Sequence, residues 1–226
     1  MSMVEFVCAT RRSEEEFWTQ SALGLSLIRM SFDRRILPRV AVSNTYGLPD
    51  IYNHSLDDET GPDIQIFIHD DVWLMDHFLV DRVLEGLQHC DVLGVAGVRQ
   101  RVPGQPAWCF SDTELTPIDQ ALKAGSVAHS EEPFGRITHF GDCPAECELM
   151  DGVFLATRKS VLKRAGVRFD PQFDFHFYDM DFCRAARQRG LKLMAWPIAL
   201  THQSKGSYIS SHWREKYEAY LRKWGE

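Results

Sequence analysis

The stretch that decides the fold runs from Asp63 to Leu74 and reads DIQIFIHDDVWL. Its first half follows Gly61-Pro62 and is rich in β-branched and aromatic residues, which predicts a short buried strand rather than a helix. The apolar run ends abruptly in His69-Asp70-Asp71, three side chains that can bind a metal ion. Open α/β sheets place their ligand sites beyond the carboxyl ends of their strands, so this junction is the first candidate site. The structural alternative is an Asp-rich turn that caps the next segment.

Segments with strand and helix patterns alternate on both sides of this stretch. Apolar runs predict further strands, and apolar residues at helical spacing predict the helices between them. The predicted strands cover residues 4–9, 36–42, 91–98, 148–157 and 191–200, and the predicted helices cover 13–30, 76–88, 159–165 and 179–189, with a short helix near Tyr52. This alternation predicts a single α/β domain over residues 1–226, with a mainly parallel central sheet flanked by helices.

Two segments depart from this alternation. Between Arg99 and Cys147, Pro and Gly interrupt every periodic run, which is typical of an irregular functional insertion or a mobile lid. In residues 210–226, aromatic residues form one stripe of an amphipathic helix among charged residues. We expect this stripe to pack against the domain, and a homodimer contact or a peripheral membrane contact is the alternative.

The composition restricts the classes of function. The chain has 226 residues, of which 44% are hydrophobic, so it can bury a core, while its formal net charge of -7 argues against broad attraction to nucleic acid. Six scattered cysteines are too few for a disulfide framework, and Cys143 and Cys147 with Cys109 would form only half of a zinc site. The sequence has neither a secretory signal nor an apolar run of the roughly 20 residues that a membrane span needs, which favours a cytoplasmic protein.

Four features with polar side chains occur in a fixed order along the chain. They are His69-Asp70-Asp71 after the third strand, Met150-Asp151-Gly152, the segment Tyr178-Asp179-Met180-Asp181-Phe182 after an aromatic loop, and His202 after the last strand. In this order the chain resembles the glycosyltransferases of the GT-A fold, which is related to the Rossmann fold. More narrowly, it is similar to the family-two-like group that includes the StrF protein of streptomycin biosynthesis. The resemblance covers nearly the whole chain.

The resemblance implies a metal site. In the GT-A fold, a DxD motif at a strand end holds a divalent cation on the diphosphate of a sugar nucleotide, and His69-x-Asp71 occupies that place here. A histidine after the final core strand often completes such a site, and His202 lies there. Carboxylate oxygens suit Mg²⁺ or Mn²⁺, and the added imidazoles favour Mn²⁺.

The resemblance also implies the residues that act on the acceptor. The segment that begins at Tyr178 matches a motif in which an acidic pair supplies the catalytic base, with Tyr in place of Glu. A carboxylate there can take the proton of the attacking hydroxyl, and Asp179 is the first candidate. Asp181 is the second, because residues at i and i+2 do not share a helix face. Asp151, Gly152 and Tyr178 are then expected to bind the acceptor.

The nucleotide of the donor is assigned by position in the same fold. Residues at the carboxyl ends of the first two strands hold the base and the ribose there, and Asp70 lies beside them at the end of the third. The expected nucleotide-binding residues are Ala9, Thr10, Arg11, Ser43, Asn44 and Asp70. The irregular segment 99–147 is expected to form one wall of the acceptor site.

Several of these residues have a purely structural alternative. Asp179 is also a good N-cap for the helix that follows it, and His202 could be a partly buried histidine bonded to the backbone. The aromatic residues of the loop before Tyr178 suit a hydrophobic core as well as a platform for a sugar ring.

The sequence therefore predicts an enzyme that transfers a sugar from a nucleoside diphosphate to a hydroxyl of a saccharide or small molecule, with inversion. One alternative is a silent nucleotide-sugar-binding module, which the non-acidic residues at positions 69 and 178 suggest. Another is a non-haem Fe(II) oxygenase, because His69, Asp71 and His202 are also a 2-His-1-carboxylate set. Such enzymes usually have a β-rich jelly roll.

Overall fold

The structure, a computed structural model, describes residues 2–204, 206 and 208–225. The strands are β1 (Val4–Ala9), β2 (Ile36–Ala41), β3 (Ile64–Ile68), β4 (Val72–Leu74), β5 (Val92–Gly94), β6 (Ala96–Val98), β7 (Lys123–His129), β8 (Arg136–Gly141), β9 (Ala145–Glu146), β10 (Leu149–Met150), β11 (Phe154–Arg158), β12 (Leu193–Ala195) and β13 (Leu200–His202). The helices are α1 (Glu14–Gln20), α2 (Ala22–Arg29), α3 (Leu48–Asp57), α4 (Leu79–Gly86), α5 (Lys159–Ala165), α6 (Tyr178–Gln188) and α7 (Ser211–Trp224).

A seven-stranded sheet in the order β2-β1-β3-β11-β5-β12-β9 forms the centre of the fold. Strand β3 is buried along its whole length, as its apolar run predicted. Strand β1 is parallel to β2 and β3, and β5 is parallel to β12, but β11 and β9 are antiparallel to their neighbours. The α/β class is confirmed, whereas the sheet is mixed rather than mainly parallel. Strand β11 comes late in the sequence but lies between β3 and β5 in the sheet. Local periodicity does not predict which strands become neighbours.

A second sheet has the order β10-β6-β7-β13-β4, with β8 paired to β7. Three segments that the sequence predicts as single strands are each divided between the two sheets. Residues 91–98 become β5 and β6, residues 148–157 become β10 and β11, and residues 191–200 become β12 and the start of β13. The breaks contain Asp151-Gly152 in the second case and Trp196-Pro197 in the third. The chain therefore crosses repeatedly from the central sheet to the second sheet, and Asp151 lies at one of these crossings.

The segment from 99 to 147 is more regular than its sequence predicts. Its first part has few regular elements, but β7 and β8 form an antiparallel hairpin in which Val127 pairs with Thr138. Most side chains of β8 are exposed, because among the described strands it pairs with β7 alone. An exposed edge strand needs no apolar alternation, so the pattern that indicates a half-buried strand is missing.

The helices follow the predicted positions with two differences. The predicted helix 13–30 is two helices, because Ser21 is extended, with φ -79° and ψ 146°. Ser21 Oγ donates to Phe17 O at 2.7 Å and accepts from Gly24 N at 2.9 Å, so it ends α1 and begins α2. Helix α6 begins at Tyr178, after Phe177 in the left-handed region with φ 67°. The interpretation of Asp179 as the N-cap of α6 is therefore wrong.

Helix α7 packs on the domain through its aromatic stripe, the first of the alternatives considered for it. Trp213 and Tyr220 are buried, and their rings lie 5.5 and 5.4 Å from the ring of Phe177. Among the described residues, no helix is both long enough and apolar enough to cross a membrane.

Asp181 of α6 belongs to the contact with α7. Its side chain is 1% exposed, Trp224 Nε1 donates to its Oδ1 at 2.9 Å, and Lys223 Nζ lies 2.7 Å from the same oxygen. Lys223 also binds Asp170, at 2.7 Å. The assignment of Asp181 as an alternative catalytic base is not supported, because its carboxylate is engaged in the interface between the two helices.

This contact predicts a structural role for Asp181. We expect Asp181→Asn to lower the free energy of unfolding by about 1–3 kcal/mol, because a buried hydrogen bond to a charged group is lost. Urea denaturation measures the change. The control is Asp170→Asn, which removes the more exposed carboxylate from the same lysine and should cost less than about 1 kcal/mol. Equal losses in the two variants would contradict the assignment.

Candidate active site

A cavity of about 1120 Å³ opens at the carboxyl ends of β1, β3 and β13. Residues of the loop after Gly104, of the β7–β8 hairpin and of the first turn of α6 form its walls. The predicted site residues that line it are Ala9, His69, Asp70, Asp71, Asp151, Tyr178, Asp179 and His202. These residues come from five separate parts of the sequence and line one cavity.

His69, Asp71 and His202 form a cluster at one side of this cavity. One ligand atom from each residue lies within 4.8 Å of the others. His202 reaches this place because β13 pairs antiparallel with β4, with His202 opposite Val72. Within the described part of the chain, this is the one group of His, Cys, Asp and Glu side chains arranged to hold a metal ion, so the cysteines form no zinc site there.

The electrostatics of the cluster suit a cation. Burial works against ionisation of Asp71, but the hydrogen bond and charge of His202 outweigh it and lower the pKa of Asp71 to about 2. Burial lowers the pKa of His69, which favours a neutral imidazole. Asp71 Oδ1 is buried and lies 3.2 Å from His202 Nε2. The ionised carboxylate of Asp71 and the neutral imidazole of His69 are ligands that suit a divalent cation.

His202 is held by side chains rather than by the backbone. Its Nε2 lies 3.0 Å from Ser204 Oγ, in addition to the contact with Asp71. Burial works to lower the pKa of His202, but the hydrogen bond and charge of Asp71 raise it overall. The alternative of a histidine bonded only to the backbone is therefore not supported.

Asp70 points away from this cluster, towards the end of β1. Thr10 Oγ1 donates to Asp70 Oδ2 at 2.5 Å, and Arg12 N donates to the same hydroxyl at 3.1 Å. The adjacent acidic residues at the end of β3 therefore differ in their surroundings. Asp71 belongs to the candidate metal-binding group, whereas Asp70, at the end of β3, accepts a hydrogen bond from Thr10 at the end of β1.

The remaining residues predicted to bind a nucleotide gather around the ends of β1 and β2. Asn44 N donates to Thr10 O at 2.8 Å, which ties the loop after β2 to the end of β1. The amide side chain of Asn44 closes a local turn through Tyr46 N and Tyr46 O. Ala9 lines the cavity, but Thr10, Arg11, Ser43 and Asn44 do not. Their assignment to a nucleotide stays a prediction.

Asp151, between β10 and β11, and Asp179, in the first turn of α6, also line the cavity. Asp151 accepts hydrogen bonds from Val153 N at 3.0 Å and from Trp108 Nε1 at 2.9 Å. Asp179 accepts from Met180 N at 2.8 Å and from Gly152 N at 3.0 Å. Both carboxylates are therefore held by N–H donors while they line the cavity.

Asp179 has the protonation behaviour of a general base. Burial raises its pKa, the charge of Asp151 raises it further, and hydrogen bonds from Met180 and Gly152 oppose the shift, which leaves the pKa at about 7. A carboxylate with this pKa can accept a proton near neutral pH and is a stronger base than an ordinary aspartate.

The hydroxyl of Tyr178 contacts both Gly152 and His69. The hydroxyl of Tyr178 donates to Gly152 O at 2.9 Å and lies 2.8 Å from His69 Nε2. A Cβ at position 152 would lie 2.3 Å from the Tyr178 hydroxyl oxygen, so only glycine permits this approach. Tyr178, predicted to bind the acceptor, thus contacts the candidate metal-binding group as well.

Trp108 is a site residue that the sequence analysis missed. It is buried and lines the cavity, its indole N–H binds Asp151, and its ring meets Phe140 edge-on at 4.9 Å. A tryptophan among Gly, Pro and polar residues was the available signal, because an irregular segment buries such a ring only for a specific contact.

The aromatic loop before α6 contributes one ring to the hydrophobic core and another to the wall of the cavity. Phe173 is fully buried in the core. Phe175 is 51% exposed, lines the cavity, and its ring is nearly parallel to that of His69 at 6.4 Å. An exposed ring face in the wall of a cavity can stack on a sugar ring.

Two solved structures share the fold of this chain. The catalytic domain of Drosophila beta1,4-galactosyltransferase 7 in complex with xylobiose is 10% identical, with a TM-score of 0.54 over 96% of this chain and 80% of that chain. A mutant of the same enzyme in complex with manganese, UDP-Gal and xylobiose is 12% identical, with a TM-score of 0.50 over 95% of this chain and 74% of that chain. At these identities the likeness concerns the fold, which is of the GT-A type.

The sequence comparison identifies the family. No curated protein sequence matches the chain. The sequence profile of a glycosyltransferase-like family matches residues 11–222, which is nearly the whole chain, whereas the narrower streptomycin-related grouping stays a prediction. Together with the GT-A fold, this match shows that the chain belongs to the glycosyltransferase-like family and is a glycosyltransferase.

Proposed function

We propose that this glycosyltransferase moves a sugar from a nucleoside diphosphate donor to a hydroxyl of an acceptor, with inversion and with the help of a divalent cation. One observation carries the proposal. A His-Asp-His group and an aspartate with a pKa of about 7 line the same cavity. The His-Asp-His group can hold a cation for the leaving diphosphate, and the aspartate can take the proton of the attacking hydroxyl.

On the donor side, His69, Asp71 and His202 would hold Mn²⁺ or Mg²⁺. When bound, such a cation neutralises the negative charge that builds on the leaving diphosphate. The Drosophila enzyme with the same fold has been solved with manganese and UDP-Gal, which supports a similar use of this side of the cavity. The proposed contacts to the nucleotide come from Ala9, Thr10, Arg11, Ser43, Asn44 and Asp70.

On the acceptor side, Asp179 takes the proton of the attacking hydroxyl. The acceptor oxygen forms a bond to the anomeric carbon while the bond from that carbon to the diphosphate oxygen breaks, and the nucleoside diphosphate leaves with the bonding electrons. A single displacement of this kind inverts the anomeric centre. Because Gly152 N and Met180 N hold the Asp179 carboxylate, it needs little reorganisation before it accepts the proton.

The cavity suits a saccharide acceptor. Its volume of about 1120 Å³ exceeds the roughly 300–1,000 Å³ of a pocket for one drug-sized ligand, so a donor and an acceptor can be present together. Asp151 can accept a hydrogen bond from a second hydroxyl, and the exposed ring of Phe175 offers a stacking surface. The Drosophila enzyme has been solved with the disaccharide xylobiose, which supports this class of acceptor.

The Fe(II) oxygenase alternative is wrong for this chain. The set of His69, Asp71 and His202 does come together, as that alternative required. However, the fold is mixed α/β with two sheets flanked by helices, and the chain belongs to a glycosyltransferase-like family. The silent binding module is the remaining alternative, and turnover decides it.

We expect Asp179→Asn to slow transfer by about 10²-fold or more while nucleotide affinity changes little, because a positioned base is lost but the donor side is intact. In the wild type, transfer should rise with pH through about 7, as Asp179 loses its proton. The variant should lose this dependence. Release of nucleoside diphosphate from a panel of sugar nucleotides, with saccharide acceptors and Mn²⁺, measures the rates.

The matched control is Asp181→Asn, a neutralised aspartate on the same helix but outside the cavity. At a temperature where it is folded, its rate should be close to that of the wild type. Loss of transfer in this variant with normal transfer in Asp179→Asn would reverse the assignment. Nucleotide binding by the wild type without turnover of any donor would favour the silent module.

A further inference from the structure

The positions at which the chain departs from the acidic GT-A pattern, His69 and Tyr178, are in direct contact. They are 109 residues apart in sequence, and His69 Nε2 lies 2.8 Å from the Tyr178 hydroxyl oxygen. A hydrogen bond at this distance is well formed. If the two replacements of a carboxylate were unrelated, the histidine and the tyrosine would have no reason to meet. Their contact therefore suggests that the two side chains share one function.

The protons of this contact can be assigned from its second hydrogen bond. A tyrosine hydroxyl has one proton, and that of Tyr178 is donated to Gly152 O at 2.9 Å. The hydroxyl oxygen can therefore only accept from His69, so Nε2 of His69 carries a proton. In the neutral imidazole, Nδ1 then holds the lone pair that binds a metal ion.

The Tyr178 hydroxyl has little freedom to leave this position. Tyr178 is 3% exposed, and its ring packs against the rings of Tyr52 and Phe169 at 5.9 and 6.2 Å. Its hydroxyl lies so close to Gly152 that no Cβ would fit there. A donor or acceptor fixed in this way selects one tautomer and one ring orientation of its histidine partner.

We infer that Tyr178 is a positioning residue of the metal centre, which holds His69 as its Nε2–H tautomer and leaves Nδ1 for the cation. This inference rests on the metal site of the proposed function. With Nδ1 of His69, the imidazole of His202 and the carboxylate of Asp71, the site has two nitrogen ligands and one oxygen ligand. Such a set favours Mn²⁺ over Mg²⁺, which prefers oxygen ligands.

The test is the affinity of the full chain for Mn²⁺ and Mg²⁺, measured by titration calorimetry without nucleotide. We expect Tyr178→Phe to weaken Mn²⁺ binding by about 10–100-fold, the usual cost of losing an outer partner of a metal ligand. Mg²⁺ binding should change less. The matched control is Tyr220→Phe, which removes the hydroxyl of another buried tyrosine, one that binds Arg184 at 3.3 Å, and it should bind Mn²⁺ as the wild type does.

A second measurement needs neither metal nor activity. Nitrogen NMR shifts of histidine-labelled protein distinguish the two imidazole tautomers, and wild-type His69 should be protonated at Nε2. Tyr178→Phe should shift His69 towards a mixture of tautomers. If this variant does not fold, the tautomer in the wild type still tests the inference.

The outcomes separate this inference from the proposed function. Wild-type Mn²⁺ binding with equal affinity in Tyr178→Phe, or a wild-type His69 protonated at Nδ1, overturns the role of Tyr178 alone. A wild type that binds no Mn²⁺, with His69 protonated at Nε2, overturns the metal site while the contact between the two side chains stands.

Discussion

The arrangement of the site depends on the two backbone hydrogen bonds of Gly152. Its N–H donates a hydrogen bond to the Asp179 carboxylate, and its carbonyl accepts one from the Tyr178 hydroxyl. The backbone of one residue therefore holds two side chains of the first turn of α6. The same residue follows β10 in the second sheet and precedes β11 in the central sheet. Because a Cβ would clash with Tyr178, the contact requires glycine. Both sheets and α6 therefore meet at one point, beside the cavity.

The surroundings of the site give two aspartates, Asp71 and Asp179, different pKa values. Asp71 has neighbouring imidazoles that lower its pKa to about 2 against the effect of burial. Asp179 has burial and the charge of Asp151, which raise its pKa to about 7. A group that stays ionised suits a cation, and a group that titrates near neutral pH suits proton transfer. These different surroundings support the proposed roles of Asp71 towards the donor and of Asp179 towards the acceptor.

The sequence predicted those features that depend on strand ends, and missed those that depend on pairing between distant segments. His69 and Asp71 follow a continuous apolar run, and His202 follows the last one, so their approach at the ends of strands was foreseeable. The antiparallel position of β11 between β3 and β5 could not be foreseen, because periodicity indicates which residues are buried but not which strands are neighbours. The sequence did not distinguish Asp181 from Asp179, because the side chains that bind the Asp181 carboxylate come from the distant helix α7. Trp108 lies in a segment without periodicity, so only the folded chain relates it to Asp151.

The proposed function requires that the cluster of His69, Asp71 and His202 binds a cation together with a nucleoside diphosphate. Thermal unfolding with UDP, GDP, CDP or dTDP, each with and without Mn²⁺, tests it directly, because a ligand of the folded state raises stability by linkage. We expect Mn²⁺ to add to the stabilisation by one of these nucleotides. Asp71→Ala should abolish this addition, and His202→Ala should reduce it less. If Mn²⁺ increases the stabilisation of Asp71→Ala as much as that of the wild type, Asp71 does not bind the cation.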